Sequence, residues 1–535
     1  MAKCIPIIPG SLIDHQVGTD DVLIGLANAT NFLVGDAGQD IRDHATGGND
    51  TFTGGVNSIN NFVGDAGRSM LDHAVGGNDR FTDLAFTDST FYGDAGGNMS
   101  GYARGGDDIG EAAPALGAVA PHITFYGDAG GNMSGHAEGG NDSFEAFRGS
   151  PAIKPQTTFY GDAGGSMSDR AHGGDDTFSA NVANSDSDLI FYGDAGGNMS
   201  DRCAGGNDTF TTTGFENNNH FYGDAGGSMT GRAVGGDDTF TVSGLNPFSF
   251  FYGDAGGDMS DYSRGGNDTF TTSGIAIDFV NTFYGDAGGN MSGHATGGND
   301  AFTAGGGRNT FFGDAGGNMS GHAAGGNDAF TAGGGRNTFF GDASGTMSDD
   351  AQGGSDTFMG GAPAGTRGIN LAYGDALAMS GNAQGGNDTL IAGDDATQQP
   401  AGTFDNTLIG DAQTMSDYAC GGNDKLVSGT GNDDMWGDAQ SILGKARGGN
   451  DTFRFNFNSG HDRIEDFGQG AQDVAGSNSG TDHIDVSALG ITNLSQLSIS
   501  AFDPTTHESM ITFSPGNDVI VHSQVALTSH DFLLA

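Results

Sequence analysis

The chain has 535 residues, 100 of them Gly, and its 68 acidic residues include only 6 Glu, which leaves 62 Asp. A sequence so poor in helix formers cannot be mainly helical, and 11 Pro with no three-residue glycine period exclude collagen. A formal net charge of −49 excludes nucleic acid and an anionic membrane surface as natural partners, leaving a turn-rich, all-β protein whose charge must be neutralised.

Residues 1–17 hold one short apolar run, Ile5-Pro-Ile-Ile8, broken by Pro6 and Pro9, which is too interrupted for a secretory signal peptide. The three cysteines, Cys4, Cys203 and Cys420, are an odd count and predict no disulfide framework. No apolar window reaches the ~18 residues of a membrane-spanning helix.

From 18 to 453 a single repeat fills the chain. The tripeptide GDA occurs with its aspartate at Asp36, Asp65, Asp94, Asp128, Asp162, Asp194, Asp224, Asp254, Asp286, Asp314, Asp342, Asp375, Asp411 and Asp438. Each is followed by a GG-x-D quartet, with its aspartate at Asp50, Asp79, Asp108, Asp142, Asp176, Asp208, Asp238, Asp268, Asp300, Asp328, Asp356, Asp388, Asp424 and Asp451. The first-to-second interval is 14 residues in eleven repeats and 13 in the last three, whereas the return interval runs from 14 to 23. One half of the unit is length-locked, so inserts such as 110–122, 147–157 and 392–405 are predicted to bulge from one side.

The cleanest unit, 305–332, reads as three short strands, NTFFGDA, NMSGHA and NDAFTA, separated by glycine turns. Two residues after the second aspartate stands Phe52, Phe81, Phe144, Phe178 or Phe210, with Ile109, Leu390 and Leu426 as expected substitutes. Met70 to Met415 fill a second column in twelve of the fourteen repeats, completed by Ile41 and Ile442. Columns of identical apolar residues at one-coil spacing are a stacked core. The predicted fold is therefore a parallel β-solenoid of about fourteen coils.

Stacking identical coils sets identical aspartates ~4.8 Å apart, where two charges repel by roughly 3.5 kcal/mol at an effective dielectric of 20. Divalent cations between coils would turn that repulsion into cross-linking. Carboxylates and glycine carbonyls are hard oxygen ligands, which suits Ca2+ and predicts many bound ions. For the GDA aspartates, turn capping by hydrogen bonds stands as the competing reading.

These motifs resemble the RTX (repeats-in-toxin, haemolysin-type calcium-binding) family. Its nonapeptide GGxGxDxUx is nearly met by Ser428-Gly-Thr-Gly-Asn-Asp433-Asp-Met435-Trp, and partly by each GGxD-x-[FLI], as in Gly206-Asn-Asp208-Thr-Phe210. The resemblance implies a β-roll in which Asp433 and the GGxD aspartates bind calcium. At Gly305-Gly-Gly-Arg-Asn309 the family's aspartate is an Asn, so some turns are expected to close by hydrogen bonds alone.

After Asp451 the GDA repeat stops, and 454–535 is predicted to form a small β-rich cap, with Ile511, Phe513, Val519 and Val521 on its strands. Phe453 to Phe467, Asp482 to Ile491 and the terminal Asp531 to Ala535 resemble the C-terminal module of serralysin-type RTX proteins. That likeness implies an uncleaved type I secretion signal, read by an export apparatus of a Gram-negative bacterium, and an extracellular or cell-surface location.

No HExxH and no GxSxG occurs, and repeats plus cap leave only 1–17 for anything else, so the protein is not expected to be an enzyme. One surface column holds His44, His73, Tyr102, His136, Arg170, Arg202, Arg232, Tyr262, His294, His322, Tyr418 and Lys445, interrupted by Asp350 and Asn382. It reads either as a solvated stripe balancing the aspartates or as a ligand track for an extended anionic or carbohydrate partner. The expected function is a secreted calcium-binding structural protein, the rod-like subunit of an extracellular coat, matrix or filament. The alternative is a calcium-dependent adhesin or glycan-binding protein using this stripe. Homo-oligomers are expected, because an open solenoid leaves unpaired strand edges at its ends.

Overall fold

The computed structural model describes residues 10–83, 88–112, 122–148, 156–182, 188–215, 219–245, 248–274, 280–361, 368–393, 405–468 and 482–535. The apolar run Ile5–Ile8 lies outside these residues, as does most of each of the three inserts. The fold is the expected parallel β-solenoid, about 13 turns whose sheets stack without closing into a barrel. It divides into two units, 1–272 with 286–288, and 273–285 with 289–535.

In the first unit each coil contributes a strand to two long parallel ladders. One runs through Thr51–Thr53, Arg80–Asp83 and on to Thr239–Leu245, the other through Ile59–Val63, Asp88–Tyr92 and on to Phe248–Tyr252. A third side is made by single parallel bridges, Ala37 to Ala66 to Ala95 and Ile41 to Met70 to Met99. Register is kept residue on residue, Phe178 on Phe210 and Phe159 on Phe191, because period-2 alternation buries only one face. Both Phe columns and the Met column are completely buried. Phe210 and Phe240 stack at 4.8 Å between centroids, one strand spacing apart. The coil is thus three-sided, with an aromatic–methionine core.

One expected substitute is corrected. Gly110, not Ile109, occupies the Phe column, facing Phe81 and Phe144 in the ladder, and Ile109 points outward. The ring of Phe125 turns edge-on to Phe81 and fills the space, so a Cβ on Gly110 would press on the rings of Phe125 and Phe144. In-register pairing fixes which residue faces inward, and a one-residue slip would expose the whole strand face.

The second unit repeats the plan, with ladders from Ala301–Ala304 and from Val280–Tyr284. Its third side has true strands, Ala343–Met347, Ala376–Met379, Ala412–Met415 and Ala439–Ile442. Stacking continues past 453. Thr452–Arg454 pairs in parallel with His483–Asp485, which pairs with Phe532–Leu533. His461–Phe467 carries Asn517–Ser523 in parallel, and an antiparallel hairpin with Glu508–Ser514 finishes the sheet. Ile511, Val519 and Val521 are fully buried there, as expected for a cap.

Candidate metal centre

The GGxD aspartates form a buried ladder in each unit. The backbone N–H of each donates to Oδ1 of the same aspartate one coil on: Asp50 to Asp79 at 2.5 Å, Asp79 to Asp108 at 2.5 Å, Asp208 to Asp238 at 2.6 Å. In the second unit the series runs from Asp300 to Asp328 at 2.7 Å through Asp424 to Asp451 at 2.8 Å. It then reaches Asp482 at 3.0 Å. Oδ2 of Asp50, Asp79, Asp108, Asp142, Asp176, Asp208 and Asp238 is buried with no hydrogen-bond partner.

The GDA aspartates make the second ladder. Their carboxylates accept from the second glycine of the GG pair in the same coil, as Gly77 N–H to Asp65 at 2.7 Å and Gly326 N–H to Asp314 at 2.7 Å, with both oxygens shared at Asp128, Asp162 and Asp224. This is the turn-capping role, and it leaves one oxygen of Asp65, Asp94, Asp194, Asp254, Asp342, Asp375, Asp411 and Asp438 unpartnered in the interior. Neighbouring carboxylates, Asp65 with Asp94 and Asp94 with Asp128, approach within hydrogen-bonding reach. Between two carboxylates that proximity is favourable only with a shared proton or a cation.

Glycine makes the room for both ladders. A Cβ on Gly93 would overlap Oδ2 of Asp108 and the carbonyl oxygen of Gly127, so both oxygens border one point. A Cβ on Gly105 would likewise overlap Oδ1 of Asp128 and lie 2.8 Å from Oδ2 of Asp94. The GDA glycine and the first glycine of GG are needed because carboxylates sit where their side chains would, and the second because the preceding coil's carbonyl does, as the Gly77 carbonyl oxygen against Gly106.

Burial is the main cause that drives these acids upward. It pushes Asp194, Asp254 and Asp375 up to about 6 and Asp128 and Asp438 up to about 7. In Asp65, Asp94, Asp208 and Asp388 burial is joined by the charge of neighbouring aspartates, and the pKa stands well above the usual carboxylate range. Basic side chains sit elsewhere: Arg104 pairs with Glu138 at 2.9 Å and Arg463 with Glu465 at 2.7 Å, on the surface or at its edge.

The donor set fits calcium: carboxylate and carbonyl oxygens only, with one carboxylate oxygen turned inward and without a hydrogen-bond partner in each aspartate of the two unpartnered sets above. Among the described residues no group of three or more His, Cys, Asp or Glu side chains converges. Each ion would therefore be held by one or two carboxylates and completed by glycine carbonyls and water.

Asp433 belongs to a third column, which the asparagine substitution foreshadows. Asn309, Asn337, Asn370 and Asn406 donate amide to amide at 3.0, 2.9 and 2.7 Å, and Asn406 donates to Asp433 at 2.6 Å. Asp433 also accepts from Gly429 N–H at 2.9 Å, closing its own turn, and its N–H donates to Asp462 at 2.9 Å. The amides of Asn309, Asn337, Asn370 and Asn406 thus bond from coil to coil, and the bond from Gly429 to Asp433 is a within-turn one. Three carboxylates escaped the sequence reading, Asp462, Asp466 and Asp482. Asp466 accepts from the N–H groups of Gly437 and Asp438 at 2.8 and 3.0 Å, prolonging the GDA column.

The surface stripe is also brought together. His44, His73, Tyr102 and His136 meet ring to ring, tilted in the first pair, edge-on in the second and stacked at 4.7 Å and 6° in the last. His15, one coil earlier, joins them at 5.2 Å from His44. In the second unit His294 stacks on His322 at 4.9 Å, and Lys445 lies over Tyr418 at 4.8 Å. No family model, curated protein or solved structure matches this chain.

Proposed function

We propose that the protein is a calcium-loaded structural protein without catalytic activity, exported by a type I system through its RTX-like C-terminus. In this reading its coils serve outside a Gram-negative cell as the rod-like subunit of a coat, matrix or filament. The observation that carries the reading is the pair of buried carboxylate ladders with unpartnered oxygens. Nothing in the chain balances them, because 19 Lys and Arg face 68 acidic residues. A hard divalent cation supplies the missing charge and ligates both carboxylate and carbonyl oxygens.

Extracellular calcium sites bind at about 10⁻⁴–10⁻³ M, so they stay empty in a cytosol and fill outside, which suits export of an unfolded chain. Each site filled to ten times its dissociation constant adds about 1.4 kcal/mol. Circular dichroism and small-angle scattering of the full chain at pH 7.5 test this. A β-rich, compact particle in millimolar calcium and an expanded chain in chelator are expected. Identical profiles in both buffers would refute it.

A further inference from the structure

An open groove of about 780 Å³ runs along the first unit, lined by His136, Arg170, Arg202, Arg232 and Tyr262 beside Asp169, Asp201 and Asp261. It lies on the surface stripe, where three successive coils carry arginine. All three arginines are exposed, and among the described residues no carboxylate engages their guanidinium groups, in a chain with 62 Asp. Of the adjacent aspartates, Asp169 accepts from Gly135 N–H at 3.1 Å, Asp261 from Gly231 N–H at 3.3 Å and Asp201 from the Ser200 hydroxyl at 3.5 Å. Asp169, Asp201 and Asp261 adopt left-handed φ of 63°, 66° and 64°. At the two ends lie flat rings: His136, stacked on Tyr102 at 4.7 Å, and Tyr262, whose centroid is 5.7 Å from the Arg232 guanidinium carbon.

We propose that this groove binds a linear anionic polysaccharide with about one carboxylate or sulfate per sugar. Guanidinium groups recognise planar and tetrahedral oxyanions through paired N–H donors. Here three of them stand in line at the strand spacing of ~4.8 Å, which is close to the advance of one pyranose along an extended glycan. Successive arginines can therefore meet successive sugars. The rings at its two ends, His136 and Tyr262, add aromatic surface beside the row, and the outer oxygens of the aspartates accept sugar hydroxyls. A lone small anion would use one arginine and leave the other two idle, so the row selects a polymer. The inference goes beyond the calcium reading, because the groove lies on the surface and uses none of the buried aspartates.

Affinity electrophoresis of the full chain through gels carrying chondroitin sulfate, with dextran gels as the neutral control, tests it in a buffer where circular dichroism shows the folded protein. Retardation by chondroitin sulfate alone is expected. The R170A/R202A/R232A variant should lose at least tenfold in affinity, Tyr262→Ala should lose part of it without a change of charge, and Arg104→Ala, outside the groove, should behave as wild type. No retardation of folded wild type, equal retardation in dextran, or a triple variant that binds as wild type would each overturn the proposal. So would a triple variant that loses only self-association, since the occupant would then be an acidic face of a second copy. Folding is checked separately, so a failure here is distinguishable from a failure of the calcium reading.

Discussion

Raising the pH in the presence of chelator should unfold the protein. Asp194 and Asp254, both fully buried in the first unit, have folded-state pKa values of about 6 against a reference of 3.8. A raised folded pKa means that the folded chain holds protons the unfolded chain has released. That stability is fully present below the unfolded pKa and is lost as pH rises through the folded one. At ~1.4 kcal/mol per unit, each residue withdraws about 3 kcal/mol, and the two together about 6 kcal/mol. Asp224 lies between them and is raised further, by burial and the charges of its neighbours. Net stabilities of ~5–15 kcal/mol do not survive such a loss repeated along a ladder. Far-UV circular dichroism in chelator should show β structure near pH 4 that disappears by about pH 8, with millimolar calcium restoring it at the higher pH. Equal or greater stability at pH 8 in chelator would refute the reasoning.

Gly93→Ala should destabilise the calcium-loaded protein by several kcal/mol in urea titration, because its Cβ would fall on the Asp108 carboxylate and the Gly127 carbonyl. Asn337→Ala should cost about 1–3 kcal/mol at any calcium concentration, since it strips partners from the buried amides of Asn309 and Asn370. Removing Asp531 to Ala535 takes away the pairing of Phe532 on Ile484 as well as the RTX-like terminus; both export by a type I system and thermal stability should fall. Folded protein in millimolar calcium should form homo-oligomers that weaken when 1–17 are deleted, which light scattering across protein concentrations would detect.

The core was legible because stacking converts a repeat into columns: identical spacing puts Phe on Phe, Met on Met and Asp on Asp. Both aspartate ladders and the surface stripe follow from the same arithmetic. Reading failed where the arithmetic loses its frame. Ile109 looked like the core residue because it is the apolar one, yet register places Gly110 inward and lets Phe125 compensate across the coil. Asp462, Asp466 and Asp482 were missed because coil lengths change after 453, so their column membership appears only in the pairing of strands. The pattern overstates the third side: NMSGHA reads as a strand, yet Met319 makes only single bridges there, as the third side does throughout the first unit. The asparagine at 309 was read as a lost carboxylate; stacking makes it one rung of an amide ladder, a property of several coils that no single repeat displays.

Equilibrium dialysis of the folded full chain against millimolar calcium at pH 7.5, with the bound ions counted, tests the central claim most directly. On the order of ten ions per chain are predicted, taken up with release of protons from the buried carboxyls. Fewer than one bound calcium per folded chain would contradict the account and leave the ladders neutralised by protons alone.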